Sequence, residues 1–122
     1  MYELTIEREF SAAHRMRGHP GVCARLHGHN YRVLLTIEGE ELDEVGMLVD
    51  FAELRRVFDR ILEELDHRDL NGIPPFDEIN PSSEHLARYL YRRAGEALGS
   101  AARVVRVTVS ESPTGSVTYR EG

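Results

Sequence analysis

Two long segments in which apolar and polar residues alternate constrain the fold of this chain more than any other feature. They cover residues 2–13 and 27–38, and a period of two is typical of strands that bury one face. Arg8 is the one exception on the apolar side of the first segment. The apolar sides are formed by Leu4, Ile6, Phe10 and Ala12 in the first segment, and by Tyr31, Val33, Leu35 and Ile37 in the second.

The middle of the chain has helical periodicity. Residues 50–65 place Leu54, Phe58 and Ile61 on one stripe, and residues 82–98 form a second candidate helix entered through Pro81 and Ser82. The segment between them, residues 67–81, is rich in Gly, Pro, Asn and Asp, which predicts a loop.

Two further strands are predicted near the end of the chain. Residues 103–111 carry Val105, Val107 and Val109 on one face, and "SVTYRE" follows after the turn-forming "SPTG". The order ββααββ predicts an α+β fold, with a four-stranded antiparallel sheet and both helices on one face. We find no repeat or linker, so residues 1–122 are expected to form a single domain. Exposed sheet edges favour self-association.

Charge and composition exclude several classes of protein. The net charge of −6 argues against nucleic-acid binding by bulk electrostatics. All 15 basic residues are Arg, so a Schiff-base lysine and a phosphate-loop lysine are both excluded. A single Cys allows no internal disulfide, and we see neither a signal peptide nor a membrane span. We therefore expect a cytoplasmic protein.

Three histidines are predicted to meet at one end of the sheet. His27 and His29 share the core-facing parity of the second strand, and His14 shares that of the first. If the two strands pair as a hairpin, three imidazoles converge and form a Zn²⁺ site whose fourth position is open. A single His on an apolar face is more often a satisfied core residue, but three from two strands favour metal binding.

Cys23 is ambiguous from the residues alone. It could be a fourth zinc ligand, a thiolate activated beside the metal, or an inert buried thiol. Its Gly- and His-rich loop has no apolar pattern, which favours a functional role over packing.

Three other polar residues are possible parts of a site. Asp66 adjoins His67 at the predicted end of the first helix, where the carboxylate could orient the imidazole. Equally, His67 could only complement the helix dipole. Glu111 has the parity of the valines of its strand and would need a partner such as the guanidine-like edge of a heterocycle, unless the strand has already ended. His19 is expected in a loop, and His85 in the first turn of the second helix.

At this point the chain resembles a known family. "FSAAHR", "CARLHGHN", "VDFAELR", "LDHRDLN", "NPSSE" and "VSES" occur in this order along almost the whole chain. This combination is similar to the 6-pyruvoyltetrahydropterin synthase superfamily. The three residues between the cysteine and "HGH" resemble its bacterial 6-carboxytetrahydropterin synthase branch, which acts in the queuosine pathway.

The resemblance implies a role for each motif. His14, His27 and His29 would bind Zn²⁺, Cys23 would be catalytic, and Asp66 with His67 would transfer protons. Glu111 would hold the amino-pyrimidine edge of a pterin, with Ser82, Ser83 and Glu84 nearby. Where the family usually has Thr, this chain has Ser82, which keeps the hydroxyl.

The resemblance also implies the tunnelling fold, assembled as a homohexameric barrel with active sites between subunits. The implied reaction is that of a lyase, converting 7,8-dihydroneopterin triphosphate to 6-carboxy-5,6,7,8-tetrahydropterin with release of acetaldehyde and triphosphate. Two alternatives remain: the sister 6-pyruvoyltetrahydropterin synthase activity, and a zinc-binding module without catalysis.

Overall fold

The computed structural model describes all of residues 1–122. Five strands and two α-helices form an α+β fold, with short 3-10 turns at Val22–Ala24 and Leu70–Gly72. The elements in chain order are β1 (Tyr2–His14), β2 (His27–Gly39), α1 (Phe51–Glu63), β3 (Arg68–Asp69), α2 (Ser83–Leu98), β4 (Arg103–Ser112) and β5 (Gly115–Tyr119).

The sheet has one strand more than the sequence predicts. Its order is β3-β1-β2-β4-β5, and all neighbours are antiparallel except β3, which pairs in parallel with β1. The prediction of a four-stranded, wholly antiparallel sheet was therefore wrong in the number of strands and in the direction of β3 relative to β1. A strand of two residues inside a Gly- and Pro-rich segment has no periodicity of its own, and only its pairing with Ala12 and Ala13 defines it.

The first two strands form a continuous hairpin over their whole length. Their register runs from Tyr2 opposite Gly39 to His14 opposite His27, without a bulge. The core-facing parity predicted for both strands is confirmed, because Phe10, Tyr31 and Val33 are buried.

A bulge changes the parity of β4. The register between β2 and β4 shifts after Thr36. Thr36 pairs with Arg106 and the next residue, Ile37, pairs with Val104, so Val105 is the extra residue of β4. Val104 is buried and Val105 only half-buried. The sequence placed Val105 on the apolar face, and this was wrong for that one residue. Val107 and Val109 lie in the core as predicted.

Both helices pack on the same face of the sheet, as predicted. One cluster of 21 buried residues joins the inner side of the sheet to Leu54 and Phe58 of α1 and to Leu86 and Leu90 of α2. Arg8, the charged exception in β1, is explained by this packing, since its guanidinium binds both carboxylate oxygens of Asp59 on α1 at 2.8 Å.

Each helix begins at a residue whose side chain caps it. Asp50 accepts a hydrogen bond from the Ala52 amide, and Ser82 accepts one from the His85 amide. The second cap also fixes where α2 starts relative to the histidine end of the sheet. Neither helix is both long enough and apolar enough to cross a membrane.

Candidate metal and active site

The hairpin register brings the three predicted histidines together. His14 and His27 are direct cross-strand partners at the end of the hairpin, and His29 lies two residues along β2 on the same face. One ligand atom from each of the three rings lies within 4.8 Å of the other two. His14 is buried, while His27 and His29 are partly exposed.

Two backbone carbonyls determine which ring nitrogens are available. Nδ1 of His14 lies 2.7 Å from the Pro81 carbonyl oxygen, and Nδ1 of His27 lies 2.7 Å from that of Arg25. A carbonyl oxygen only accepts, so each Nδ1 carries the proton and donates it. The Nε2 lone pair of both rings is therefore free when the rings are neutral, as in histidines that bind a metal through Nε2.

The free Nε2 atoms lie close together. Those of His14 and His27 are 3.1 Å apart, so two lone pairs face each other. Nε2 of His29 is buried and has no hydrogen-bond partner, because its 3.1 Å contact with Glu111 Oε2 lacks hydrogen-bond geometry. A cation between the three atoms would remove both the lone-pair repulsion and the unsatisfied nitrogen. The residues thus fit Zn²⁺, for which three imidazole nitrogens with a fourth position open are a known ligand set.

The burial of His14 also favours its neutral form. The low-polarity surroundings lower the pKa of His14, which favours the neutral imidazole that a metal requires. Tyr31 contributes to these surroundings, and its hydroxyl lies 3.1 Å from His14 Nδ1. Burial raises the pKa of the Tyr31 phenol, so this hydroxyl stays protonated at neutral pH.

Glu111 is positioned from a second direction. Its Oε1 accepts a 2.6 Å hydrogen bond from the Ser83 hydroxyl at the first residue of α2, and its Oε2 faces His29. Glu111 is still within β4, so the alternative of a solvated residue beyond the strand does not hold. Ser82 is occupied as the helix cap, and Glu84 is exposed.

A polar cavity of 680 Å³ opens beside this cluster. None of its lining residues is hydrophobic, and His29 and Glu111 both contribute to its wall. Arg32 and Thr114 supply further hydrogen-bonding groups. The cavity is large enough for a small polar ligand that reaches the candidate metal site.

Asp66 and His67 form a contact pair at the edge of β1. The helix α1 has already ended at Glu63, so the pair lies beyond it. Asp66 Oδ2 lies 2.9 Å from His67 Nδ1, while Oδ1 accepts a 2.8 Å hydrogen bond from the Ser11 amide. This amide donation, with the contact to His67, holds the pKa of the Asp66 carboxyl below its usual value.

The backbone at His67 is unusual. Its φ of 57° makes it the one residue other than glycine in the left-handed region, and its amide donates to the Ser11 carbonyl. Its side chain is 80% exposed. Non-glycine residues in this region often occur at functional sites, where surrounding contacts maintain the strain.

Cys23 lies in the single 3-10 turn of the loop between β1 and β2. Its thiol is free and partly buried, and it does not belong to the group of mutually close metal-binding atoms. The Cys23 carbonyl accepts a 2.8 Å hydrogen bond from the Met16 amide, which closes the loop on itself. Within this one chain, neither Cys23 nor the Asp66–His67 pair joins the histidine group.

Two features around the histidines were not identified from the sequence. The carbonyls of Pro81 and Arg25 orient two rings, and a backbone oxygen leaves no signal in a sequence. Tyr31 was recognised only as a core residue, although its parity with His27 and His29 could have indicated the contact with His14. His19 in the loop and His85 in the first turn of α2 lie where they were predicted.

Comparison with known proteins agrees with these observations. The family model described as 6-pyruvoyl tetrahydropterin synthase matches residues 3–122. The chain is 34% identical to 6-carboxy-5,6,7,8-tetrahydropterin synthase of Bacillus subtilis, over 98% of this chain and 85% of that protein. It is 36% identical to a putative 6-carboxy-5,6,7,8-tetrahydropterin synthase of Archaeoglobus fulgidus, over 87% and 86% of the two chains.

A solved structure extends the likeness to the fold. The 6-pyruvoyl tetrahydropterin synthase of Caenorhabditis elegans superposes with a TM-score of 0.83 at 30% identity, covering 100% of this chain and 98% of that one. The histidine group, the order of strands and helices and the sequence similarity along the whole length lead to the same conclusion: the chain belongs to the 6-pyruvoyl tetrahydropterin synthase family.

Proposed function

We propose that this protein is a zinc-dependent 6-carboxy-5,6,7,8-tetrahydropterin synthase. The reaction consumes 7,8-dihydroneopterin triphosphate and one water, and releases 6-carboxytetrahydropterin, acetaldehyde and triphosphate. The observation that carries the proposal is the histidine group, in which two Nδ1 atoms donate to carbonyls and leave Nε2 free. Its place beside Glu111 and a polar cavity supports a ligand with several polar groups.

The proposed roles of the residues follow from their chemistry. His14, His27 and His29 would hold the zinc ion, which supplies Lewis-acid stabilisation of charge that develops on substrate oxygens. Glu111 would accept two hydrogen bonds from the amino-pyrimidine edge of the pterin. The Ser83 hydroxyl, already bonded to Glu111, would keep this carboxylate oriented, with Ser82 and Glu84 close by at the start of α2.

Proton transfer is assigned to two groups. The Cys23 thiol would exchange a proton with the substrate side chain as acid and base. Asp66 would orient the His67 ring through Nδ1, leaving Nε2 to give or take a proton.

We further propose that active sites form between subunits of a homohexameric barrel. Support comes from the exposed His67, which in a single chain lies outside the histidine group, and from the outer edge of β5, which has no strand partner. A role in queuosine biosynthesis and a cytoplasmic location follow from the same proposed activity, and the lone free thiol is compatible with a reducing compartment.

A product assay tests the proposal. Purified protein loaded with zinc is incubated with 7,8-dihydroneopterin triphosphate, and acetaldehyde and the pterin product are quantified. Equimolar acetaldehyde and 6-carboxytetrahydropterin are expected. The similarity to the C. elegans structure favours the sister activity as the second candidate, and 6-pyruvoyltetrahydropterin without acetaldehyde would establish it.

The remaining alternative is a zinc-binding module without catalysis. Glu111 and the Asp66–His67 pair speak against it, because a metal site with a purely structural role has no need of them. Titration of the zinc-loaded protein with a pterin separates the two. The absence of any measurable affinity would favour the binding module.

A further inference from the structure

Two asparagine side chains hold the backbone at the start of the loop that carries Cys23. Asn71 accepts from the Arg15 amide at 2.9 Å and donates to the Arg15 carbonyl at 3.1 Å. Asn80 does the same with Arg17, at 2.9 Å and 2.8 Å. Each carboxamide thus satisfies the donor and the acceptor of one residue, as a neighbouring strand would.

Met16, which lies between Arg15 and Arg17, binds the turn that contains Cys23. The Met16 amide donates to the Cys23 carbonyl at 2.8 Å, and the Met16 carbonyl accepts from the His19 amide at 3.2 Å. All three consecutive residues 15–17 are therefore held through their backbone. The other end of the loop is tied at Arg25, whose carbonyl accepts from the candidate ligand His27.

Both asparagines stand on fixed supports. The Asn71 amide donates to Asp69 of β3, the strand paired with β1. The Asn80 carbonyl lies 2.6 Å from Nδ1 of His85 in α2. Asn80 also directly precedes Pro81, whose carbonyl orients His14. Residues 15–17, at the start of the loop, are consequently connected to the same elements that position the histidine group and the Asp66–His67 pair.

We propose that Asn71 and Asn80 are positioning residues that set the place of the Cys23 thiol relative to the histidine group. This inference rests on the proposed catalytic role of Cys23. The four hydrogen bonds join two segments separated by more than fifty residues, and they act on the backbone on either side of Met16, so they determine where the 3-10 turn of Cys23 lies. Without them, the loop would sample open states in which the thiol leaves its position.

The test uses Asn71→Ala, Asn80→Ala and the milder Asn80→Asp, which keeps the acceptor for the Arg17 amide. The matched control is Asp43→Ala, because Asp43 also makes two side chain–backbone hydrogen bonds in an exposed loop, with Val45 and Met47. That loop follows β2 at the end of the sheet opposite the histidines.

Alkylation of the only thiol by iodoacetamide reports the position of the loop without substrate. The alanine variants are expected to react at least about threefold faster than wild type, since loss of the asparagine hydrogen bonds raises the population of the open loop. Bound zinc should remain one per chain. Turnover of the pterin should fall about tenfold or more in kcat with little change in KM, because misplacement affects the reacting geometry.

Alkylation rates and kcat values equal to those of Asp43→Ala would overturn the inference, as would loss of zinc in the asparagine variants. The alkylation and zinc measurements need no substrate. If wild type did not act on the pterin, the proposed function would fail, and if Cys23→Ala kept full turnover, the catalytic role of Cys23 would fail. In either case the alkylation rates would still test whether the two asparagines hold the loop in place.

Discussion

Nε2 of His14 and Nε2 of His27 lie 3.1 Å apart, while Nδ1 of each ring donates to a backbone carbonyl. This arrangement of two facing lone pairs is unfavourable without a cation, and His29 adds a third unsatisfied nitrogen to it. The three histidines could therefore hold a metal ion, because secondary structure and carbonyl contacts already orient their rings.

Removing one of these ligands should abolish tight zinc binding. His29→Ala leaves two imidazoles, and we expect bound zinc to fall from one per chain to near zero after dialysis. In wild type, zinc at about 100 times its dissociation constant should stabilise the fold by about 2.7 kcal/mol. Atomic absorption and thermal unfolding with and without a chelator measure both effects.

The control for this experiment is His19→Ala, which removes a histidine of the exposed loop. Zinc content and the shift of Tm on chelation should match wild type. Tight zinc binding that survives in His29→Ala would show that the three histidines do not form the site.

Cys23→Ala separates the two functional roles left open for the thiol. Since the sulfur is outside the group of close ligand atoms, the variant should keep wild-type zinc while kcat falls by about 100-fold or more. Zinc content and single-turnover rates are measured on the same preparation. Loss of zinc together with activity would instead identify Cys23 as a ligand.

Asp66 should make stability depend on pH in the acid range. Its pKa in the folded protein is lowered, chiefly by the Ser11 amide, so its contribution is fully present above the ordinary carboxyl pKa. The contribution is lost as the pH falls through the lowered value. Asp66→Asn should reduce the free energy of unfolding at pH 7 by about 1 kcal/mol, a modest figure because the carboxylate is partly exposed.

Urea unfolding of the metal-free protein at a series of pH values below about 5 checks this sign. Metal-free protein is used because zinc binding has its own pH dependence. The difference between wild type and Asp66→Asn should shrink as the pH falls. Asp77→Asn, at an exposed position in the segment before α2, is the control and should leave the profile unchanged. A difference that grows towards low pH would contradict the assigned direction.

The adjacent serines at the start of α2 provide a matched pair. Ser83→Ala removes the hydroxyl that binds Glu111, and Ser82→Ala removes the helix cap. Each is expected to cost about 1 kcal/mol of stability. The affinity of the zinc-loaded protein for a pterin should fall about tenfold in Ser83→Ala, as expected for a lost hydrogen bond of about 1.4 kcal/mol.

Calorimetric titration of both variants with the same pterin distinguishes these roles. Ser82→Ala should bind within about twofold of wild type, because its hydroxyl is engaged by the helix backbone. Equal losses in the two variants would mean that the effect comes from α2 as a whole and not from Glu111.

The fold and the candidate site could be predicted only in part. Helical stripes predicted both helices, and adjacency or strand parity singled out Asp66, His67 and Glu111 before the family resemblance gave them roles. The bulge that buries Val104 instead of Val105 arises from pairing with β2, and Leu70 and Phe76 are fully buried in a segment predicted as a loop. Such features depend on which neighbour a residue meets, and local composition does not contain that information.

The amino-acid sequence by itself determined the faces of the two long strands, and with them the common face of His14, His27 and His29, which the register of the hairpin then brings together. Strand parity is a local property, because successive side chains of any extended backbone point to opposite sides. Only the tertiary structure decided which nitrogen each ring presents, how Ser83 orients Glu111, and how Asn71 and Asn80 hold the Cys23 loop. Those contacts join residues far apart in the chain, and their geometry exists only after the helices have packed on the sheet.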